Sequence, residues 1–137
     1  MIEAVHGRRQ ILPDRCIDQQ FLSELSVDER LSQYRRFSQD DRALDRALRV
    51  ALFRSLTKSC GDGLRLGLGV DFLHPETFEI GQGVFIGANV YLQGRFDGRF
   101  QLGNRVWIGP GAYFDCRDLV VGDDVGWGPG AKVLGSE

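Results

Sequence analysis

From Ile80 onward the chain falls into sixes: IGQGVF at 80, IGANVY at 86, LGNRVW at 102, IGPGAY at 108, VGDDVG at 121 and WGPGAK at 127. Each block opens on a large apolar residue followed by glycine, and carries Val or Ala four places after the first. Pairs of blocks recur after 22 residues (Ile80 to Leu102) and after 19 (Leu102 to Val121). A six-residue side is a short strand plus a turn, and three sides close a coil of about 18 residues. Successive coils then stack as parallel strands about 4.8 Å apart. The leading apolar residue is expected to point inward, onto its equivalents above and below. The adjoining glycine is expected to permit a tight corner whose φ disfavours a side chain. Each buried Ile, Leu or Val contributes roughly 1.5–3 kcal/mol. No coil buries its own face alone, so the repeat works only as a stack.

The first part of the chain has a different period. SVDE at 26–29 has the form of a capping box, with Ser26 and Glu29 exchanging backbone and side-chain hydrogen bonds. The helix behind it is expected to run through Leu31 and Tyr34 to about Phe37. A second helix is expected to start at Ser38, with Asp40 and Asp41 in its first turn. Leu44, Leu48, Ala51, Leu52 and Leu56 then share one face at helical spacing. Arg42, Arg46 and Arg49 fall mostly elsewhere, which predicts a solvated face with local pairs such as Asp45 with Arg49. KSCGDG at 58–63 closes the helical part. The division expected is a helical segment over 1–60 and a β-helix over 61–137.

Net charge is −2, so no global field draws the chain to nucleic acid or anionic lipid. No apolar run reaches the roughly 18 residues of a membrane span, and MIEAVHGRRQ has no signal-peptide core. Cys16, Cys60 and Cys116 are odd in number and lack CxxC spacing, which reads as reduced thiols in a cytoplasmic protein.

The hexads, together with LHPETFEIGQGVFIG, WIGPGAYFDCRD and VGWGPGAKVLGSE, resemble the hexapeptide-repeat acyltransferases, in their sugar and antibiotic O- or N-acetyltransferase branch. The resemblance covers about 64–137. It implies a mainly β fold, a left-handed parallel β-helix of about four coils behind an α-helical N-terminal segment. It also implies acetyl-CoA, or another acyl-CoA, as co-substrate rather than a tightly bound cofactor, and a sugar-like small-molecule acceptor. Assembly as a homotrimer is the family's habit.

Acyl transfer from a thioester needs a base for the acceptor and donors for the developing oxyanion. In the enzymes this chain resembles, the base is a single histidine that commonly follows a stretch like VLGSE. Here that stretch is 133–137, so the expected histidine would follow Glu137. The resemblance therefore implies a chain inactive by itself, its β-helix incomplete at the C-terminal end. His6 lies in the N-terminal arm and His74 in an early coil, and neither is expected to be catalytic. Acceptor-side candidates are Asp115, Arg117, Asp118, Trp127 and Glu137. If Phe114 points inward, Asp115 points out, either toward an acceptor hydroxyl or simply into solvent. Arg117 and Asp118 either meet the acceptor or pair at a corner. Trp127, at a position that wants Ile or Val, either widens a corner or meets a ligand. LQGRFDGRFQ at 92–101 breaks the rhythm, as a plain turn or as a cleft wall.

A non-catalytic scaffold or assembly subunit is the alternative reading. Metal-dependent carbonic anhydrases on this fold need about three histidines per zinc, and the repeat region has only His74. Ice-binding β-helices need rows of threonine, and the region has only Thr77. GQG and GPG lack the strand–loop–helix setting of a phosphate loop. A last coil without a cap exposes unpaired backbone groups and predicts self-association.

Overall fold

The structure, a computed structural model, describes residues 19–135. Among the described residues three helices precede the repeat: α1 (Gln19–Ser23), α2 (Val27–Arg36) and α3 (Ala43–Leu56). The capping box forms as expected, with the Glu29 amide on Ser26 Oγ and the Ser26 amide on Glu29 Oε1, both 3.0 Å. The second start differs from expectation. Ser38 is buried and its hydroxyl donates back to Arg35 O at 3.0 Å, so it closes α2 instead of opening α3. Arg42 takes the N-cap position, its amide donating to Asp45 Oδ2 at 3.2 Å.

The buried face of α3 is also rotated from the expected stripe. Leu44 is 59% exposed, while Arg49, Val50, Ala51, Leu52, Phe53 and Leu56 are buried. The last turns of α3 are enclosed between α2 and the first coil, and the first turn is not. Arg49 is therefore no surface residue. It is 0% exposed and donates to Phe37 O (2.9 Å), Asp40 O (2.7 Å), Asp41 Oδ1 (2.7 Å) and Leu66 O (3.0 Å). Its acidic partner is Asp41, and Asp45 pairs with Arg42.

Twelve short strands follow in three parallel four-stranded sheets, so the chain forms a β-solenoid of four coils. The first sheet holds β1 (Ser59–Cys60), β4 (Phe78–Ile80), β7 (Arg99–Leu102) and β10 (Asp118–Val121). The second holds β2 (Arg65–Leu66), β5 (Phe85–Ile86), β8 (Trp107–Ile108) and β11 (Gly126–Trp127). The third holds β3 (Asp71–Leu73), β6 (Tyr91–Gln93), β9 (Tyr113–Cys116) and β12 (Lys132–Gly135). The leading hexad residues Ile80, Ile86, Leu102, Ile108 and Val121 are buried, as are Val84, Val90, Val106 and Ala112 four places on.

The hexads describe two of the three sides. The third side and the strand after it bring aromatic rings inward. Phe53 of α3 meets Phe72 (5.2 Å between centroids) and Phe78 (6.3 Å). Phe78 meets Phe100 (4.5 Å), Phe100 meets Phe114 (6.4 Å), and Phe114 meets Trp127 edge-on (5.1 Å). An aromatic column thus runs from the helices to the fourth coil. Such pairs contribute about 0.5–1.5 kcal/mol beyond burial.

The role expected of the hexad glycine needs correction. The residue with positive φ is the third of each four-residue corner: Gly63, Gly69, Gly83, Asn89, Arg105, Gly111, Asp124 and Gly130. The first glycine has no such φ. It is small because the next coil lies against it: a Cβ on Gly67 would stand 2.5 Å from Ala88 N, and one on Gly87 would stand 2.7 Å from Pro110 N.

Both four-residue corners keep their length in every coil, and all length variation exits at the corner between the third and first sheets. That corner spans 74–77, then 94–98, then Arg117 alone. The loop expected over 92–101 is thus only five residues, since Leu92 and Phe100 are buried strand residues.

Ion pairs clamp neighbouring coils on the outside: Arg99 to Asp118 (2.8 Å), Arg105 to Asp124 (2.7 Å) and Arg117 to Asp97 (3.3 Å). Arg99 and Arg105 hold the Asp118 and Asp124 carboxyls below their usual range, chiefly by direct hydrogen bonds. A carboxyl with a lowered folded pKa stabilises the fold above its unfolded value of about 4, and the benefit is lost as pH falls through the folded value. The melting temperature of wild type should therefore exceed that of the double variant Asp118→Asn, Asp124→Asn at pH 7. Thermal melts by circular dichroism should show this difference shrink as pH falls below the unfolded carboxylate value of about 4.

Candidate functional site

Alternation along the third sheet sends Phe72, Leu92, Phe114 and Val133 inward and two rows outward. The first outward row is Asp71, Tyr91, Tyr113 and Lys132, and the second is Leu73, Gln93, Asp115 and Leu134. Phe114 is 0% exposed, so Asp115 does point outward, half-buried, in register with Gln93. Tyr91 and Tyr113 stack at 5.2 Å between centroids and 27° between planes. The Tyr91 hydroxyl donates to Gln93 Oε1 at 3.0 Å. Its phenol pKa is raised, first by burial and then by Tyr113, Asp71 and Asp115, so it remains a donor at neutral pH.

This face offers paired aromatic surface flanked by two carboxylates, an amide and a phenol, at the spacing of stacked strands. Aromatic faces take the apolar side of a ring, and the carboxylates accept from hydroxyls. The arrangement suits a polyhydroxylated ring. Of its members, sequence reasoning singled out Asp115 alone. The signal for the tyrosines was the 22-residue interval from Tyr91 to Tyr113, the same interval that separates Ile80 from Leu102.

The corner beside this face collects charge. Arg117 reaches Asp97, which Arg95 also holds at 3.0 Å, and Asp118 takes a two-pronged bond from Arg99 at 2.8 and 3.3 Å. Arg117 and Asp118 therefore pair with the coil before them and not with each other. Together with Gly98, residues Asp97, Arg99, Arg117 and Asp118 line a shallow open cleft.

His74 occupies the same corner two coils earlier. Its Nδ1 lies 2.9 Å from Glu76 Oε2 and its ring 6.1 Å from that of Phe96. Pro75 sets the 3-10 turn after it (Pro75–Thr77), and His74 itself takes φ 61. Trp127 stands elsewhere, on the inward row above Ile108 and against Phe114. Glu137 and His6 lie outside the described residues.

Cys116 is buried, its thiol pKa raised chiefly by burial, which makes it a poor nucleophile. Among the described residues no group of three or more His, Cys, Asp or Glu side chains is placed to hold a metal ion. No described helix is long and apolar enough to cross a membrane.

The fold and this face define a helix-capped parallel β-solenoid with a polar, aromatic outer sheet. No family model, curated protein or solved structure matches the chain.

Proposed function

We propose that the chain forms the acceptor-binding part of an acyltransferase that moves an acetyl group from acetyl-CoA, or another acyl group from its CoA ester, to a hydroxyl or amine of a sugar-like molecule. The observation that carries this reading is the outer face of the third sheet, with Tyr91 stacked on Tyr113 beside Asp71, Gln93 and Asp115. In such a transfer the acceptor oxygen or nitrogen forms a bond to the thioester carbonyl carbon. The carbon–sulfur bond breaks, a base takes the acceptor proton, and the coenzyme A thiolate leaves. Asp115 would accept a hydrogen bond from the acceptor. His74, already engaged by Glu76 at the corner, is not assigned as the base, so the chain alone binds acceptor without turnover. Assembly as a homotrimer, as in the enzymes it resembles, belongs to the same proposal.

The test is saturation-transfer NMR with a panel of hexoses and amino sugars, alongside a thiol-release assay with acetyl-CoA. Binding is expected without thiol release. Asp115→Asn should weaken binding about tenfold, the loss of one charged hydrogen bond, and Tyr113→Ala by a similar factor. If no sugar binds, or if neither substitution matters, the scaffold reading takes its place. Thiol release by this chain would mean that it contains its own base, and His74→Ala would then be the next variant.

A further inference from the structure

The outward row of the second sheet is Arg65, Phe85, Trp107 and Gly126, in register from the first coil to the fourth. Its first three members stack. The Arg65 guanidinium carbon lies 5.0 Å from the centre of the Phe85 ring, and Phe85 lies 5.3 Å from Trp107 with 20° between the ring planes. Rings stacked in this way hide their faces against one another, so a free ring face is left only at an end of the ladder. Arg65 closes one end. At the other end Trp107 presents its second face to the rung of Gly126, which has no side chain to lay on it, and Trp107 is 42% exposed.

The backbone does not require glycine at 126. The residue lies in β11 without a positive φ, and the nearest atom to an added Cβ would be Trp107 O at 3.9 Å, an ordinary contact. The outer surface of the fourth coil accepts side chains elsewhere, with Val120 in the first sheet and Lys132 in the third. Stacked strands are about 4.8 Å apart, and paired rings stand about 4.5–7 Å apart. The open rung therefore has the height of one planar group laid on the indole. Its wall is Trp107 and its floor the Gly126 backbone, both on the flank of the solenoid.

Charge selects the group. Asp123 and Asp124 stand just before Gly126. Arg105 makes a two-pronged bond to Asp124 at 2.7 and 3.1 Å, while Asp123 Oδ1 accepts the Asn104 amide at 2.7 Å. Two carboxylates against one guanidinium leave this corner negative. Arg65 is three strand spacings from Gly126, about 14 Å, beyond the roughly 8 Å over which exposed charges act at physiological ionic strength. Lys132 projects from a different sheet. Indole is also the ring face that a cation prefers, and the closed end of the same ladder already carries a guanidinium on a ring.

We infer that Trp107 and Gly126 form a binding site for a planar cation, a guanidinium group stacked on the free indole face in the rung that Gly126 leaves open. The group belongs to a free small molecule or to an arginine of a peptide. The site lies on another sheet from the acceptor face and is independent of the acyl-transfer reading.

The experiment titrates the full chain with ethylguanidinium and follows the Trp107 indole N–H and the Gly126 amide by two-dimensional NMR. Ethylammonium, a cation without the plane, and ethylurea, planar without the charge, are the controls. Ethylguanidinium is expected to shift both signals and to bind roughly fivefold more tightly than either control. Gly126→Leu should melt no lower than wild type yet lose roughly fivefold in affinity, because leucine takes the place of the ligand, and Trp107→Leu should lose as much. Arg65→Gln, at the closed end, should bind as wild type does. An acetylated Gly-Arg-Gly amide separates the two sources. Binding about tenfold tighter than ethylguanidinium assigns a peptide arginine, and equal or weaker binding assigns a free small molecule. Either control binding as tightly as ethylguanidinium, or an unchanged affinity in Gly126→Leu, would overturn the inference.

Discussion

Gly67→Ala and Gly87→Ala will each destabilise the solenoid by about 3 kcal/mol, although each adds a single methyl group to a residue outside any strand. The methyl would lie 2.5 Å from Ala88 N in the first case and 2.7 Å from Pro110 N in the second. Backbone has no rotamer to give, so relief comes from parting two coils. Parting them stretches the bonds from Gly67 N to Ile86 O (2.8 Å) and from Gly87 N to Ile108 O (2.9 Å). Overpacking costs about 1–3 kcal/mol and each weakened bond about 1 kcal/mol. Urea denaturation followed by circular dichroism measures the loss, and the melting temperature should fall by roughly 10 °C. The contrast with Gly122→Ala and Gly128→Ala makes the experiment specific, because those methyls enter open space. Equal losses at all four positions would show that corner conformation, and not the neighbouring coil, is what demands glycine.

Arg49→Met will cost about 3 kcal/mol for a different reason. Methionine preserves most of the apolar stem but removes four donated bonds at once, to Phe37 O, Asp40 O, Asp41 Oδ1 and Leu66 O. The Leu66 carbonyl belongs to the first coil and is enclosed, so it loses a donor that water does not replace. Buried groups left in that state cost about 1–3 kcal/mol each. The half-exposed Asp41 and the exposed Asp40 lose less, because solvent reaches them. Arg49→Lys should recover under half of the loss, since one ammonium has neither the reach nor the planar fork to serve all four acceptors. Urea titration of the three proteins gives the ranking. Amide exchange should show the damage concentrated where the α2–α3 segment meets β2, and a uniform loss along the solenoid would contradict the assignment.

Arg49 also shows where sequence reading gave out. In a list of arginines on a helix, Arg42, Arg46 and Arg49 look alike, and the exposed reading suits two of them. Arg46 does lie outside, paired with Asp41, and Arg42 caps the helix beside Asp45. What singles out Arg49 is a cluster of carbonyls from the end of α2, the following turn and β2, which become neighbours only when the chain has folded. Leu44 failed in the opposite sense: its spacing fits the apolar stripe, but no described element lies over the first turn of α3 and Leu44 is exposed. Ser26 and Glu29 were legible because a capping box is complete within four residues.

The candidate site divides in the same way. The outward direction of Asp115 followed from strand alternation once Phe114 was placed inside. Tyr91, Tyr113 and Gln93 become its companions through a register of 22 residues between coils. Arg117 and Asp118, adjacent in sequence, take partners from earlier in the stack, because the parallel ladder sets Arg99 in register with Asp118 and the 94–98 corner brings Asp97 to Arg117.

The hexads by themselves determined a stacked-coil architecture, the inward row and the places where the chain turns. These follow from local requirements: one apolar residue per side, one small residue per corner and a fixed interval between them. Tertiary structure decided which glycines are compulsory, which arginine is buried, how the aromatic column threads the third side, and which outward residues share a face. Each of those depends on an atom from another coil or helix standing within a few ångströms, and no local pattern encodes the distance across a stack.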